Sequence, residues 1–144
     1  MTRRLLLLLL CALPWCPLQG AAEEESVRDG VFVHVSHGTD HPHRLLMALR
    51  LARIMAETRD VLVFFDVDGV RAILEGAEDV EAPGFESLSV QLEALRVTEA
   101  VLLACPMCVE AAGAKEVGLV DGVQYAEADR FFSFTEGRIL TLDY

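Results

Sequence analysis

The chain has 144 residues, 53% of them hydrophobic and 24% charged, with four cysteines and a formal net charge of −11. That length suits one domain, and the acidic balance repels phosphate backbones and so argues against a nucleic-acid partner. The charges are dispersed through an apolar pattern, which argues equally against disorder.

The first residues read as an export signal. Arg3 and Arg4 give a basic start, Leu5 to Leu13 is almost unbroken apolar sequence, and Pro14 to Ala22 brings helix breakers and then small residues. An apolar run of about nine residues is well short of the roughly 20 needed to cross a bilayer as a helix. We expect a secretory signal over 1–22, with cleavage after Ala22, and a periplasmic or secreted protein. Lipoprotein processing at Cys11 or Cys16 is the weaker reading, because Leu13-Pro14-Trp15 lacks the small residues it needs. Loss of Arg3 and Arg4 takes the net charge from −11 to −13. Residues 23–29 begin with Glu23-Glu24-Glu25 and read as a solvated tail, leaving 30–144 as the folded domain. Cys105 and Cys108 alone remain, too few for a disulfide framework.

Val31 to Val35 is a short β-branched run and reads as a strand. Ser36 to His43 is a loop punctuated by Gly38 and Pro42, and a helix follows from Pro42 to about Glu57, with Leu45, Leu49, Ala52 and Ala56 on one face. Val61 to Phe65 is apolar throughout, as a strand covered on both faces should be. Asp66 to Gly69 closes it, and Val70 to Leu74 starts a short helix. Gly76 to Gly84 is acidic and turn-rich, with at most a short strand around Val80. Ser87 to Thr98 has helical spacing, and Val101 to Ala104 is another buried strand, running into Cys105-Pro106-Met107-Cys108 and a short helix that ends near Gly113. A turn of helix over Glu116 to Val120, strands at Val123 to Ala126 and Ile139 to Leu142, and a helix over Glu127 to Thr135 complete the reading. Strands alternating with helices imply a three-layer α/β/α domain with an open, mostly parallel sheet of about five strands.

Cys105 and Cys108 are the sharpest chemical signal. Cys105 follows a strand and precedes Pro106, a natural first helical residue, so it would cap the helix, where free N–H groups favour a thiolate. That makes Cys105 the expected nucleophile and Cys108 its resolving partner; the structural alternative is an inert or merely bridging pair. His37, His41 and His43 fall in the loop after the first strand, on the sheet edge where the cysteines also lie. Cys105, Cys108, His37 and His41 therefore form a candidate zinc or copper set. His34 alternates with core residues and reads as a satisfied sheet histidine. Asp66 and Asp68 offer a base or ligand, although a turn before Gly69 explains them as well. Phe131, Phe132 and Phe134 read as core, with an oligomer contact as the second choice. No phosphate-cradling glycine loop and no Gly-x-Ser-x-Gly elbow is present.

The His37-Gly-Thr-Asp-His-Pro42 loop, Phe64-Phe-Asp-Val-Asp-Gly-Val70, Ala104-Cys-Pro-Met-Cys-Val-Glu-Ala-Ala-Gly113 and Leu119-Val-Asp-Gly-Val123 come in an order that resembles the DsrE/DsrF-like family, which includes sulfur-relay proteins of the TusD and YchN type. The likeness runs from Gly30 to Tyr144. It implies a three-layer α/β fold, assembly as a trimer or hexamer, a sulfur donor or acceptor protein as partner, and a cysteine that carries sulfur as a persulfide. Cys105 holds that cysteine's position and Cys108 matches a second cysteine of some members. Where several sulfur carriers have an arginine before the glycine, this chain has Ala112, and the relay members work in the cytoplasm whereas this chain reads as exported. The expectation is an exported thiol or persulfide protein acting at Cys105, and the alternative a non-enzymatic, oligomeric module that binds a metal or small ligand through Cys105, Cys108 and His37.

Overall fold

The computed structural model describes residues 27–144; the expected signal at 1–22 and the start of the acidic tail lie outside the described residues. Five strands form one sheet in the order β4-β3-β2-β1-β5: β1 (Gly30–Val35), β2 (Asp60–Phe65), β3 (Val101–Ala104), β4 (Gln124–Tyr125) and β5 (Ile139–Asp143). Every pairing is parallel. The helices are α1 (Pro42–Ala56), α2 (Leu88–Arg96), α3 (Pro106–Ala111) and α4 (Ala128–Phe132), with a 3₁₀ turn at Gly69–Ile73. The open parallel sheet and its two helical layers are as the sequence predicts. None of the described helices is long and apolar enough to cross a membrane.

Strand order explains the layers. From β1 to β4 the chain steps one way across the sheet, and right-handed crossovers put α1, α2 and α3 on one face. The return to β5 reverses direction and carries α4 to the other. Side chains alternate accordingly. Val31, Val33, Val35, Val61, Val63 and Phe65 are buried with Leu45 and Leu49 of α1 and Leu92 and Leu95 of α2. On the opposite face Phe131 of α4 meets Phe32 and Phe64 edge-on, with ring centroids 5.5 and 5.1 Å away. That second layer is thin: Phe132 and Ile139 stay exposed, so Phe132 does not join the core as expected.

Three other expectations change. Val80 is buried but not in a strand; its carbonyl accepts the Leu88 N–H, while the Asp79 carboxylate accepts from the Ser89 N–H and hydroxyl at the start of α2. Residues 116–120 are not helical. They pair with the end of the 3₁₀ turn instead, through Glu75 N–H to Gly118 O at 2.8 Å and Val120 N–H to Ile73 O at 3.0 Å. Finally, α4 stops at Phe132, because the Thr135 hydroxyl donates to the Arg28 carbonyl and draws the chain towards β5.

The turns after β1 and β2 cross at two glycines. A Cβ on Gly38 would lie 2.6 Å from the Asp68 carbonyl oxygen, and one on Gly69 would overlap the Val35 carbonyl oxygen. Both obstacles are backbone and cannot swing aside. Gly38→Ala and Gly69→Ala should each destabilise the fold by about 1–3 kcal/mol, read as a lower urea midpoint with an unchanged slope; a midpoint equal to wild type would show that the turns do not cross this tightly.

Candidate functional site

The carboxyl ends of β1, β2 and β3 share one sheet edge, and each delivers one group of reactive side chains. After β3 the chain turns straight into α3, with Cys105 as N-cap and Pro106 behind it, as expected. The Cys105 N–H donates to Phe65 O at 2.8 Å, continuing the β2–β3 pairing by one residue. Its side chain makes no capping hydrogen bond. Both cysteines are free thiols: Cys105 is buried, with 8% of its surface exposed, and Cys108 is half-buried. Cys108 faces an open hollow of about 320 Å³, lined also by Val67, Asp68, Arg71, Ala111 and Ala112. Burial pushes the Cys108 thiol above its ordinary pKa; the neighbouring Cys105 and Asp66 add to the rise, and the Val67 N–H opposes it.

Val67 has φ +44°. A β-branched residue in that region is strained by about 1–3 kcal/mol, and here the strain turns its N–H towards Cys108. The sequence marks only a turn before Gly69. Gly69 in fact serves close approach, and its valine neighbour two residues earlier takes the left-handed conformation.

Asp66 and His34 form the next group, and His34 is the satisfied sheet histidine that the sequence predicts. By sheet alternation Asp66 projects to the same face as His34. The His34 Nε2 lies 2.9 Å from one Asp66 oxygen, and its Nδ1 lies 2.8 Å from Asp143 at the end of β5. The other Asp66 oxygen, Oδ1, is buried and has no hydrogen-bond partner. An orphaned carboxylate oxygen beside two thiols calls for a chemical explanation. The alternation of His34 with core residues was legible; its two carboxylate partners were not, since Asp143 lies 109 residues away.

The third group is the β1–α1 loop. His37 Nδ1 donates to Asp40 Oδ2 at 2.6 Å, Gly38 N–H donates to Asp40 Oδ1 at 2.7 Å, and the His37 and His41 rings meet edge-on at 4.6 Å. The bond from His37 holds Asp40 down at a pKa of about 2, against a smaller opposing effect of burial. Donor atoms of His37, Asp40 and His41 lie within 4.8 Å of one another; neither cysteine belongs to that group. Strand order supplies the reason. With β2 between β1 and β3, the histidine loop and the cysteine turn stand two strand spacings, about 10 Å, apart. His43 packs edge-on against Phe85 and is turned away from both.

An all-parallel, three-layer α/β/α domain with a thiol pair at the carboxyl edge of its sheet is thus the class of protein that fold and site define. The family model described as "DsrE/DsrF-like family" matches residues 29–135, and the chain belongs to that family. It is also similar to a solved structure, the YchN protein from E. coli, with 24% identity, a TM-score of 0.62, and 80% of this chain and 99% of that one covered; that likeness is one of fold. No curated protein matches.

Electrostatics of the His34 pair predict a pH response. Burial disfavours the charged ring, yet the hydrogen bonds to Asp66 and Asp143 outweigh it and raise the His34 pKa above 6.5. A raised folded value means that the stabilisation is complete below the unfolded pKa and is lost as pH rises through the folded one. The urea midpoint should therefore fall as pH climbs upward from about 6.5, and His34→Gln should flatten that segment. A wild-type midpoint without this slope would rule out the charged bridge.

Proposed function

We propose that this is an exported thiol protein that carries sulfane sulfur as a persulfide on Cys105. Membership of the DsrE/DsrF-like family supports a sulfur-handling role. The observation that carries the reading is local: two adjacent thiols where β3 enters α3, with a buried, unpartnered Asp66 oxygen on the neighbouring strand end. The leader at 1–22 supports a periplasmic or secreted setting, where thiols meet oxidised sulfur compounds.

Asp66 accepts the thiol proton as the Cys105 thiolate forms. His34, held between Asp66 and Asp143, steadies the carboxylate meanwhile. The thiolate attacks the outer sulfur of a donor persulfide, and the donor thiolate leaves with the electron pair of the broken S–S bond, so Cys105 gains one sulfur atom. An acceptor thiolate takes that sulfur and regenerates the Cys105 thiolate. Alternatively, Cys108 attacks Cys105, expelling hydrosulfide and leaving a Cys105–Cys108 disulfide for an external dithiol to reduce. The donor reaches the pair through the hollow at Cys108, whose Arg71 guanidinium is paired with Asp68 at 3.1 Å.

Mass spectrometry after exposure to polysulfide or a persulfide donor checks this. One added sulfur atom is expected on Cys105, with none on the protein when Cys105→Ser is introduced. Asp66→Asn should slow uptake by about 100-fold, the usual scale for a lost general base. Absence of any adduct at either cysteine would overturn the reading.

We also propose self-association as a trimer or hexamer through α4 and the edge strand β5, because Phe132 of α4 and Ile139 and Leu140 of β5 are exposed. Sedimentation should show a trimer or hexamer that Phe132→Glu dissociates; a wild-type monomer would end that part of the proposal.

A further inference from the structure

We propose that the β1–α1 loop is a binding site for one divalent first-row transition ion of the zinc or copper class, held by His37, Asp40 and His41 and independent of the cysteines. Two imidazoles and one carboxylate make a donor set of borderline softness suited to such ions. Their donor atoms already lie within 4.8 Å of one another, and His37 Nδ1 and Asp40 Oδ2 are 2.6 Å apart. Ligands about 2.0–2.1 Å from a tetrahedral ion stand roughly 3.4 Å from each other. The pair thus needs to open by less than about 1 Å, within a loop whose three ligand side chains are all partly or fully exposed.

The rest of the loop is arranged around this group. Asp40 is oriented by the Gly38 N–H, which occupies Oδ1 and leaves Oδ2 for the ion. Pro42 starts α1 directly after His41 and fixes where that histidine sits. His43 is packed against Phe85 and takes no part. Three protein donors leave a coordination position for water or a small ligand.

Two features oppose a cation, and neither is large. The loop leads into the N-terminal end of α1, and the Arg44 Nη1 stands 3.3 Å from His37 Nε2. At such exposure each lowers affinity by only about two- to fivefold. Arg44 can donate to Nε2 only in the tautomer that carries its proton on Nδ1. Binding moves that proton to Nε2 and turns Arg44 away into solvent, so Arg44 competes with the ion.

The test uses the protein prepared without a histidine tag and stripped with a chelator, titrated with Co(II) and then displaced by Zn(II). One equivalent should bind, giving d–d bands of a nitrogen- and oxygen-ligated ion with no sulfur-to-cobalt charge-transfer band. His37→Ala and His41→Ala should each weaken binding by at least about 100-fold, more than the usual loss from a supporting residue. Asp40→Asn, nearly isosteric, should also weaken it, and serves where a histidine variant loses its circular dichroism. Arg44→Ala should tighten binding by about two- to fivefold, while Cys105→Ser and Cys108→Ser leave it unchanged. The proposal is overturned by no saturable binding, by a charge-transfer band that disappears with either cysteine, or by unchanged affinity in folded His37→Ala or Asp40→Asn. Sulfur uptake at Cys105 is measured separately, so either result stands without the other.

Discussion

The crossing of the turns after β1 and β2 is the contact on which the site depends. Ser36 O accepts the N–H groups of both Asp68 and Gly69, and Val35 O accepts that of Asp66. These bonds need the two backbones within van der Waals contact, which only glycine allows at positions 38 and 69. From that one crossing the histidine loop is anchored on one side. On the other side Asp66 is brought to His34, and Val67 and Asp68 are set against Cys108. Side chains from three strands are therefore placed by backbone geometry, and the surface loops that carry them need little packing of their own.

Strain and charge at this edge have one direction. Val67 is held in a conformation that costs free energy, and Asp66 Oδ1 is buried without a partner. Both are supported by the rigid β1–β2 pairing beneath, six residue pairs in register. Residues after the strand end are free to satisfy chemistry at the expense of local stability, because the core under them is complete. The His34 bridge offsets part of that expense by placing an imidazole between Asp66 and Asp143, a bridge strongest when the ring is protonated.

Most of the architecture was legible because periodicity reports burial. β-Branched runs marked β1 and β2, apolar spacing marked α1 and α2, and Pro106 after Cys105 marked the strand-to-helix turn. Elements that hold few core residues were the ones misjudged. Residues 116–120 and Val80 are decided by backbone partners far along the chain, which no local pattern reveals. The same limit applies to the site. Single residue types announced Cys105, Cys108 and His37, whereas the placement of His34 and Asp66 together depends on which strands are neighbours. Asp143 in β5 lies 109 residues from His34, beyond any spacing argument.

Strand order also separates two chemistries that the sequence invites one to merge. Histidines and cysteines on one sheet edge suggest a single mixed metal site, and that holds only if β1 and β3 are adjacent. They are not: β2 intervenes, and its exit residues Asp66 to Gly69 fill the space between. The Asp66 carboxyl then faces the thiol pair, while His37 pairs with a different carboxylate, Asp40. The thiol pair and the loop histidines are thereby kept apart, each beside its own acid group. The proposed sulfur carriage would benefit from this division, since an ion bound by Cys105 would occupy the lone pair with which it must attack.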